Sequence, residues 1–127
     1  MAVAYLDTQV IAWIYAGLYK KLTKDAVRLI ESRDLLLSPM AYLELDYMLR
    51  VGRVKRDAAT IYARLNTSIG LTICGLPFAT VAEYAIQNGW TSDPFDKIIA
   101  AQARANGNAP LITADENIRK HYPQAVW

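Results

Sequence analysis

The chain of 127 residues holds one cysteine, Cys74, and one histidine, His121. A lone cysteine excludes an intramolecular disulfide and leaves a cysteine-based zinc site without ligands. A Ser-His-Asp or Cys-His mechanism would rest on His121 alone, and no Gly-x-Ser-x-Gly elbow stands ready to pair with it. The six glycines are scattered and form no phosphate-cradling loop. No apolar run approaches the ~18 residues of a membrane span. The opening segment lacks the basic n-region of a secretory signal. A cytoplasmic protein without a membrane association is therefore expected. What remains for catalysis is carboxylate and metal chemistry.

Hydrophobic residues make up 54% and charged residues 20%, too rich a core and too little charge for a disordered chain. The length suits one domain, 1–127, burying roughly two-thirds of its unfolded surface. Fourteen Lys and Arg against twelve Asp and Glu give a net charge of +2, which permits a nucleic-acid partner without demanding one. Two basic segments stand out: Lys20, Lys21, Lys24 and Arg28, then Arg50, Arg53, Lys55 and Arg56. Both read as solvated helix faces, and the second could instead track phosphates.

Short apolar runs alternate with helical patterns. Strands are expected at Val3–Leu6, Leu35–Leu37, Leu71–Cys74, Leu111–Ile112 and Ala125–Trp127. Helices are expected over 8–19, 23–32, 39–52, 57–69, 78–88, 94–106 and 115–120. Ser38-Pro39 and Asp93-Pro94 are cap-plus-proline starts. Non-alternating strands between helices imply a parallel sheet, hence a three-layer α/β/α architecture. Ligands in such folds gather beyond the carboxyl ends of the strands. Asp7 and Asp115 follow two of those ends.

Most of the acids have a purely structural account. Asp7 and Asp93 can cap helices, and Asp96 and Asp115 can be first-turn acids. Glu44 is different. It lies mid-helix on the stripe of Met40, Tyr47, Met48 and Val51, opposite Asp46, Arg50 and Arg53, and has no cation at i±3 or i±4. An inward carboxylate must find a partner, protonate or bind a metal. A distant cation such as Arg104 is one resolution. Gathering Asp7, Glu44, Asp96 and Asp115 around Mg²⁺ or Mn²⁺ is another, because both ions favour hard oxygen ligands. Such a centre suits phosphodiester hydrolysis without an imidazole base.

Four blocks then match a known pattern in order. They are Tyr5-Leu-Asp-Thr-Gln-Val-Ile-Ala-Trp13, Ser38 followed by Glu44, Asp93-Pro-Phe-Asp-Lys-Ile-Ile-Ala-Ala-Gln-Ala103, and Leu111-Ile-Thr-Ala-Asp115. Across residues 5–115 the chain resembles a PIN-domain ribonuclease, more narrowly the VapC-type toxins of toxin–antitoxin pairs. The third block is the most specific. The resemblance implies endonucleolytic RNA cleavage with Mg²⁺ or Mn²⁺ on Asp7, Glu44, Asp96 and Asp115. Thr8 and Thr113 match supporting hydroxyl positions, and Asp93 caps, binds metal through water, or both. It further implies a homodimer and a cognate antitoxin whose tail covers the site. Gln9 replaces a common His and Lys97 a common Arg. Lys97 stays cationic but lacks the bidentate fork, so substrate or antitoxin contacts could differ. A housekeeping PIN nuclease of RNA processing and a non-catalytic binding module are the competing readings.

Overall fold

In the computed structural model, which describes residues 2–127, the first strand β1 (Val3–Leu6) buries Ala4, Tyr5 and Leu6 completely or nearly so. Side chains buried on both faces of a strand require layers on both sides of the sheet. The remaining strands are β2 (Asp34–Leu37), β3 (Thr72–Ile73), β4 (Leu111–Ile112) and β5 (Ala125–Val126). Their order is β3-β2-β1-β4-β5 and every ladder is parallel. Among the described residues seven α-helices cover the sheet: α1 (Thr8–Tyr15), α2 (Lys24–Ser32), α3 (Pro39–Arg50), α4 (Ala58–Ile69), α5 (Phe78–Ile86), α6 (Pro94–Ala105) and α7 (Glu116–His121). Crossovers from β1 to β3 step one way, and those from β3 to β5 step back the other way. Right-handed connections then put helices on both faces, giving the three-layer α/β/α fold.

That reversal falls between β1 and β4, which are neighbours with Leu6 opposite Ile112. Chain leaving adjacent strands in opposite directions opens a crevice at their carboxyl ends. Asp7 stands at the end of β1, and Thr113 and Asp115 stand just past β4.

The strands and helices expected from the sequence are all present. Most boundaries shift by one or two residues, and the largest shift is in the helix expected over 8–19, which stops at Tyr15. Gly17 takes a left-handed φ of 75°, its N–H bonds Ile14 O, and the Leu18 N–H bonds Trp13 O at 2.9 Å. This paired closure ends a helix and needs a residue without Cβ at its turn. Leu18, which lies at helical spacing with Ile11, Ile14 and Tyr15 in the sequence, is consequently exposed. Gly52 does the same for α3, with the Arg53 N–H on Met48 O at 2.7 Å.

A buried polar string ties α3 to α6. Ser38 Oγ, which caps α3, donates to Gln102 Oε1 at 3.0 Å. Gln102 Nε2 reaches Cys74 Sγ at 3.2 Å, and Cys74 Sγ meets the Tyr5 hydroxyl at 3.1 Å. Asn106 Nδ2 donates to that hydroxyl at 2.9 Å. Buried polar groups need such partners, and the string sets α3 and α6, which carry Glu44 and Asp96, in one register.

Candidate active site

Asp7 is 7% exposed, and both of its oxygens are engaged. Oδ1 accepts the Thr8 N–H at 2.8 Å, capping α1, and Oδ2 accepts the Thr113 hydroxyl at 2.6 Å. Thr113 Oγ1 in turn accepts the Asp115 N–H at 3.0 Å. Asp115 Oδ1 caps α7 through the Ile118 N–H, and Asp93 Oδ1 caps α6 through the N–H groups of Phe95 and Asp96. The capping role read from the sequence is thus real for Asp7 and Asp93, while Asp115, read as a first-turn acid, is itself the cap of α7. Asp96 makes no cap; it sits in the first turn of α6 and faces the crevice.

Glu44 is half-buried on α3, facing the same crevice beside Met48. It does not point into the body of the protein as its helical stripe suggested. Tyr47 and Val51, on that stripe, are about half exposed. Nor does it pair with Arg104, which lies over the Tyr84 ring. The cation that acts on it is Arg53. Arg53, expected on the far polar stripe, instead lies beyond Gly52, donates to Gln9 Oε1 at 2.8 Å and lines the crevice. The stripe keeps only the exposed Asp46–Arg50 pair at 2.9 Å.

Asp7, Glu44, Asp93, Asp96 and Asp115 therefore share one cleft of 370 Å³. Its electrostatics follow from burial and crowding. Burial raises the Asp96 carboxyl to about 7, reinforced by the negative fields of Asp115, Asp93, Asp7 and Glu44. Burial likewise raises Asp7, opposed by the Thr113 hydroxyl and the Thr8 N–H and assisted by Asp115 and Asp93. Glu44 is raised by burial and by Asp7 and Asp93, against the lowering effects of the Thr8 hydroxyl and Arg53. Thr8 Oγ1 is buried and has no partner in hydrogen-bond geometry among the described residues, although it faces Glu44 closely enough to favour its charged form.

Hard oxygen donors that destabilise one another's charge, with an orphaned buried hydroxyl beside them, fit a divalent cation of the Mg²⁺ or Mn²⁺ class. Among the described residues, no three His, Cys, Asp or Glu side chains already converge to hold an ion.

The other residues singled out in the sequence are scattered more widely. Lys55 and Arg56 line a second cavity, while Arg50 and Lys97 line neither. Gln9 and Trp13 complete the cleft wall. Gln9 drew notice in the sequence only as a departure from a pattern, because its partner lies 44 residues away. No helix among the described residues is long and apolar enough to cross a membrane.

A parallel α/β domain with carboxylates crowded at its switch point has the hard oxygen donors that a divalent metal takes. The PIN domain model matches residues 4–122, and the chain belongs to the PIN-domain family. No curated protein matches it in sequence. Among solved structures, it resembles a chain of VapBC2 from Rickettsia felis bound to a DNA fragment from its promoter, with TM-score 0.67 and 19% identity over 98% of this chain and 96% of that one. A chain of a toxin–antitoxin complex from Klebsiella pneumoniae is similar at TM-score 0.63 and 18% identity, with the same coverages. A chain of FitAcB from Neisseria gonorrhoeae follows at TM-score 0.51 and 23% identity, covering 98% and 96%. Identities this low speak to the fold.

Proposed function

We propose that the protein is a Mg²⁺- or Mn²⁺-dependent endoribonuclease and the toxin of a type II toxin–antitoxin pair. The observation that carries this reading is that Asp7, Glu44, Asp96 and Asp115 line one cleft, where burial and neighbouring carboxylates oppose the ionisation of Asp7, Glu44 and Asp96. The likeness of fold to toxin–antitoxin complexes supports the toxin role. The partners that go with it are an RNA substrate, a cognate antitoxin and a second copy of the chain, in the cytoplasm.

In this reading Asp7, Glu44, Asp96 and Asp115 would hold the cation, and Asp93, which caps α6, would also bind it through water. When bound, the ion offsets the charge of the phosphodiester and makes water a competent nucleophile. The chain's own contribution is positional. The Thr113 hydroxyl fixes the Asp7 carboxylate and, through the Asp115 N–H, the start of α7. Arg53 offers a guanidinium at the mouth of an otherwise acidic cleft. Without a cation, Asp96 holds a proton near neutral pH.

The capping bonds of Asp7, Asp93 and Asp115 favour a second reading, a non-catalytic binding module whose acids only end helices. A mixed RNA pool incubated with Mn²⁺ or Mg²⁺, beside Asp7→Asn and EDTA controls, separates the two. Discrete cuts that vanish in both controls are expected. A folded chain that neither cuts nor binds Mn²⁺ would establish the module. A housekeeping PIN nuclease would cut equally well but cause no growth arrest on expression.

A further inference from the structure

The residues lining the acidic cleft include one cation, Arg53, and it pairs with none of the acids around it. Among the described residues the ion pairs are Arg28–Asp25 and Arg50–Asp46, both on exposed helix surface. Arg53 Nη2 donates instead to Gln9 Oε1 at 2.8 Å. An arginine placed to balance the acids would take a carboxylate, which is the stronger acceptor. A neutral amide orients the guanidinium and leaves its charge uncancelled.

Both partners stand on rigid backbone. The left-handed Gly52 closes α3 and ties the Arg53 N–H to Met48 O at 2.7 Å, and the next residue, Val54, packs on the core. Gln9 lies in the first turn of α1, between the buried Thr8 and Val10. The exposed guanidinium is thereby held at the cleft mouth, near enough to Glu44 for its field to act there. Gln9 takes one N–H of the fork, and the others have no acceptor among the described residues. Arg50 and Lys97, on the helices that carry Glu44 and Asp96, do not line the cleft and leave Arg53 as its cationic group.

Hydrolysis of a phosphodiester forms a bond from a water oxygen to phosphorus and breaks one from phosphorus to an ester oxygen. One proton of the water ends on the leaving oxygen and the other passes to solvent. In the transition state negative charge is spread over the phosphoryl oxygens, and the cleft's carboxylates repel it. A planar fork of N–H donors matches two such oxygens at once.

We infer that Arg53 is a catalytic residue: its guanidinium contacts the non-bridging oxygens of the scissile phosphodiester and stabilises their charge in the transition state, and Gln9 is the positioning residue that aims it. The inference rests on the ribonuclease reading and adds one cationic side chain of this protein to a centre otherwise built from acids.

The full chain carrying Arg53→Met, Arg53→Lys, Gln9→Leu or Gln9→Leu/Arg53→Met tests this, with Arg28→Met as an exposed control on α2. The probe is a fluorophore–quencher oligoribonucleotide containing a site that the unsubstituted chain cuts in a mixed RNA pool with Mn²⁺. The readouts are kcat and KM at saturating Mn²⁺ and calorimetric Mn²⁺ titration, with urea unfolding to confirm that each variant is folded.

Arg53→Met should lower kcat about a hundredfold and leave KM within about threefold, the pattern of an interaction made in the transition state. It should bind Mn²⁺ at least as tightly, because a positive charge has left the cleft. Arg53→Lys should recover part of the loss, since the charge returns without the fork. Gln9→Leu should lower kcat about ten- to a hundredfold alone and not at all once Arg53 is gone. Arg28→Met should match the unsubstituted chain. Full kcat in Arg53→Met, or a loss confined to KM, overturns the inference and leaves the nuclease reading standing. A kcat loss that tracks weaker Mn²⁺ binding also overturns it, because Arg53 would then only shape the metal site. Additive losses in the double variant overturn the positioning role of Gln9. Unsubstituted chain that cuts nothing in the pool and binds no Mn²⁺ ends the nuclease reading, and this inference with it.

Discussion

Thr113 Oγ1 donates a hydrogen bond of 2.6 Å to Asp7 Oδ2 across the seam where β4 meets β1. The same oxygen accepts the Asp115 N–H, so one hydroxyl holds two of the cleft's acids in register. Replacing it with valine keeps the shape and removes both bonds. Thr113→Val should cost about 1–3 kcal/mol, because a buried carboxylate oxygen loses its donor, and urea unfolding reads that loss. It should also weaken Mn²⁺ binding about 10- to 100-fold, the usual effect of removing a group that orients a ligand. Unchanged titration isotherms would remove Asp7 from the ligand set.

The pH dependence of stability follows from Asp96, whose carboxyl rises to about 7 from 3.8. Between those values the folded chain holds a proton that the unfolded chain has released. The resulting stabilisation is complete below about pH 4 and is lost as pH rises through about 7. Asp7 and Glu44 shift in the same direction. Asp57, lowered by its Thr60 bonds, acts oppositely but only in acid, below the window. Metal-free protein should therefore melt at a lower temperature at about pH 8 than at about pH 5, and Mn²⁺ should restore the loss at pH 8. Equal melting temperatures at the two pH values would contradict the crowding of the cleft.

How far this cleft was legible in the sequence depends on the range of the interaction. Ser38-Pro39 and Asp93-Pro94 announce α3 and α6 because cap and proline act within one turn. Val3–Leu6 announces a central strand because burial on both faces leaves no polar alternation. From those elements and the carboxyl-end rule, the positions of Asp7 and Asp115 follow. Arg53 did not follow. Continuing the helical stripe puts it opposite Glu44, whereas a left-handed Gly52 ends the helix and turns it to Gln9. Leu18 leaves the line of Ile11 and Ile14 for the same reason at Gly17. The path of a chain past a helix end is not written in helical periodicity.

Asp96→Asn separates stability from activity. Asparagine keeps the shape and removes one negative charge from a cleft where Asp115, Asp93, Asp7 and Glu44 all oppose it. Metal-free Asp96→Asn should melt above the unsubstituted chain at about pH 8, with the gap closing towards about pH 4, where Asp96 is neutral in both the folded and the unfolded chain. RNA cleavage should fall at least a hundredfold, because a ligand of the proposed centre is gone. A variant that melts lower at both pH values, with cleavage intact, would make Asp96 an ordinary first-turn acid.

Gln102 tests whether the buried polar string positions the site or merely fills the core. Its side chain accepts from Ser38 and donates to Cys74, and the residue is 2% exposed. Gln102→Leu conserves volume but strands the Ser38 hydroxyl proton, costing about 1–3 kcal/mol. Cys74 keeps the Tyr5 hydroxyl and suffers less. Adding Ser38→Ala removes the stranded donor, yet it also removes the acceptor for the Met40 N–H that caps α3. The double variant should therefore be more stable than the sum of the two single losses, a positive coupling measurable in a urea double-mutant cycle with unchanged m-values. Because the string sets α3 against α6, Gln102→Leu should also weaken Mn²⁺ binding at a temperature where it remains folded. Strict additivity with full Mn²⁺ affinity would show that Glu44 and Asp96 are placed without it.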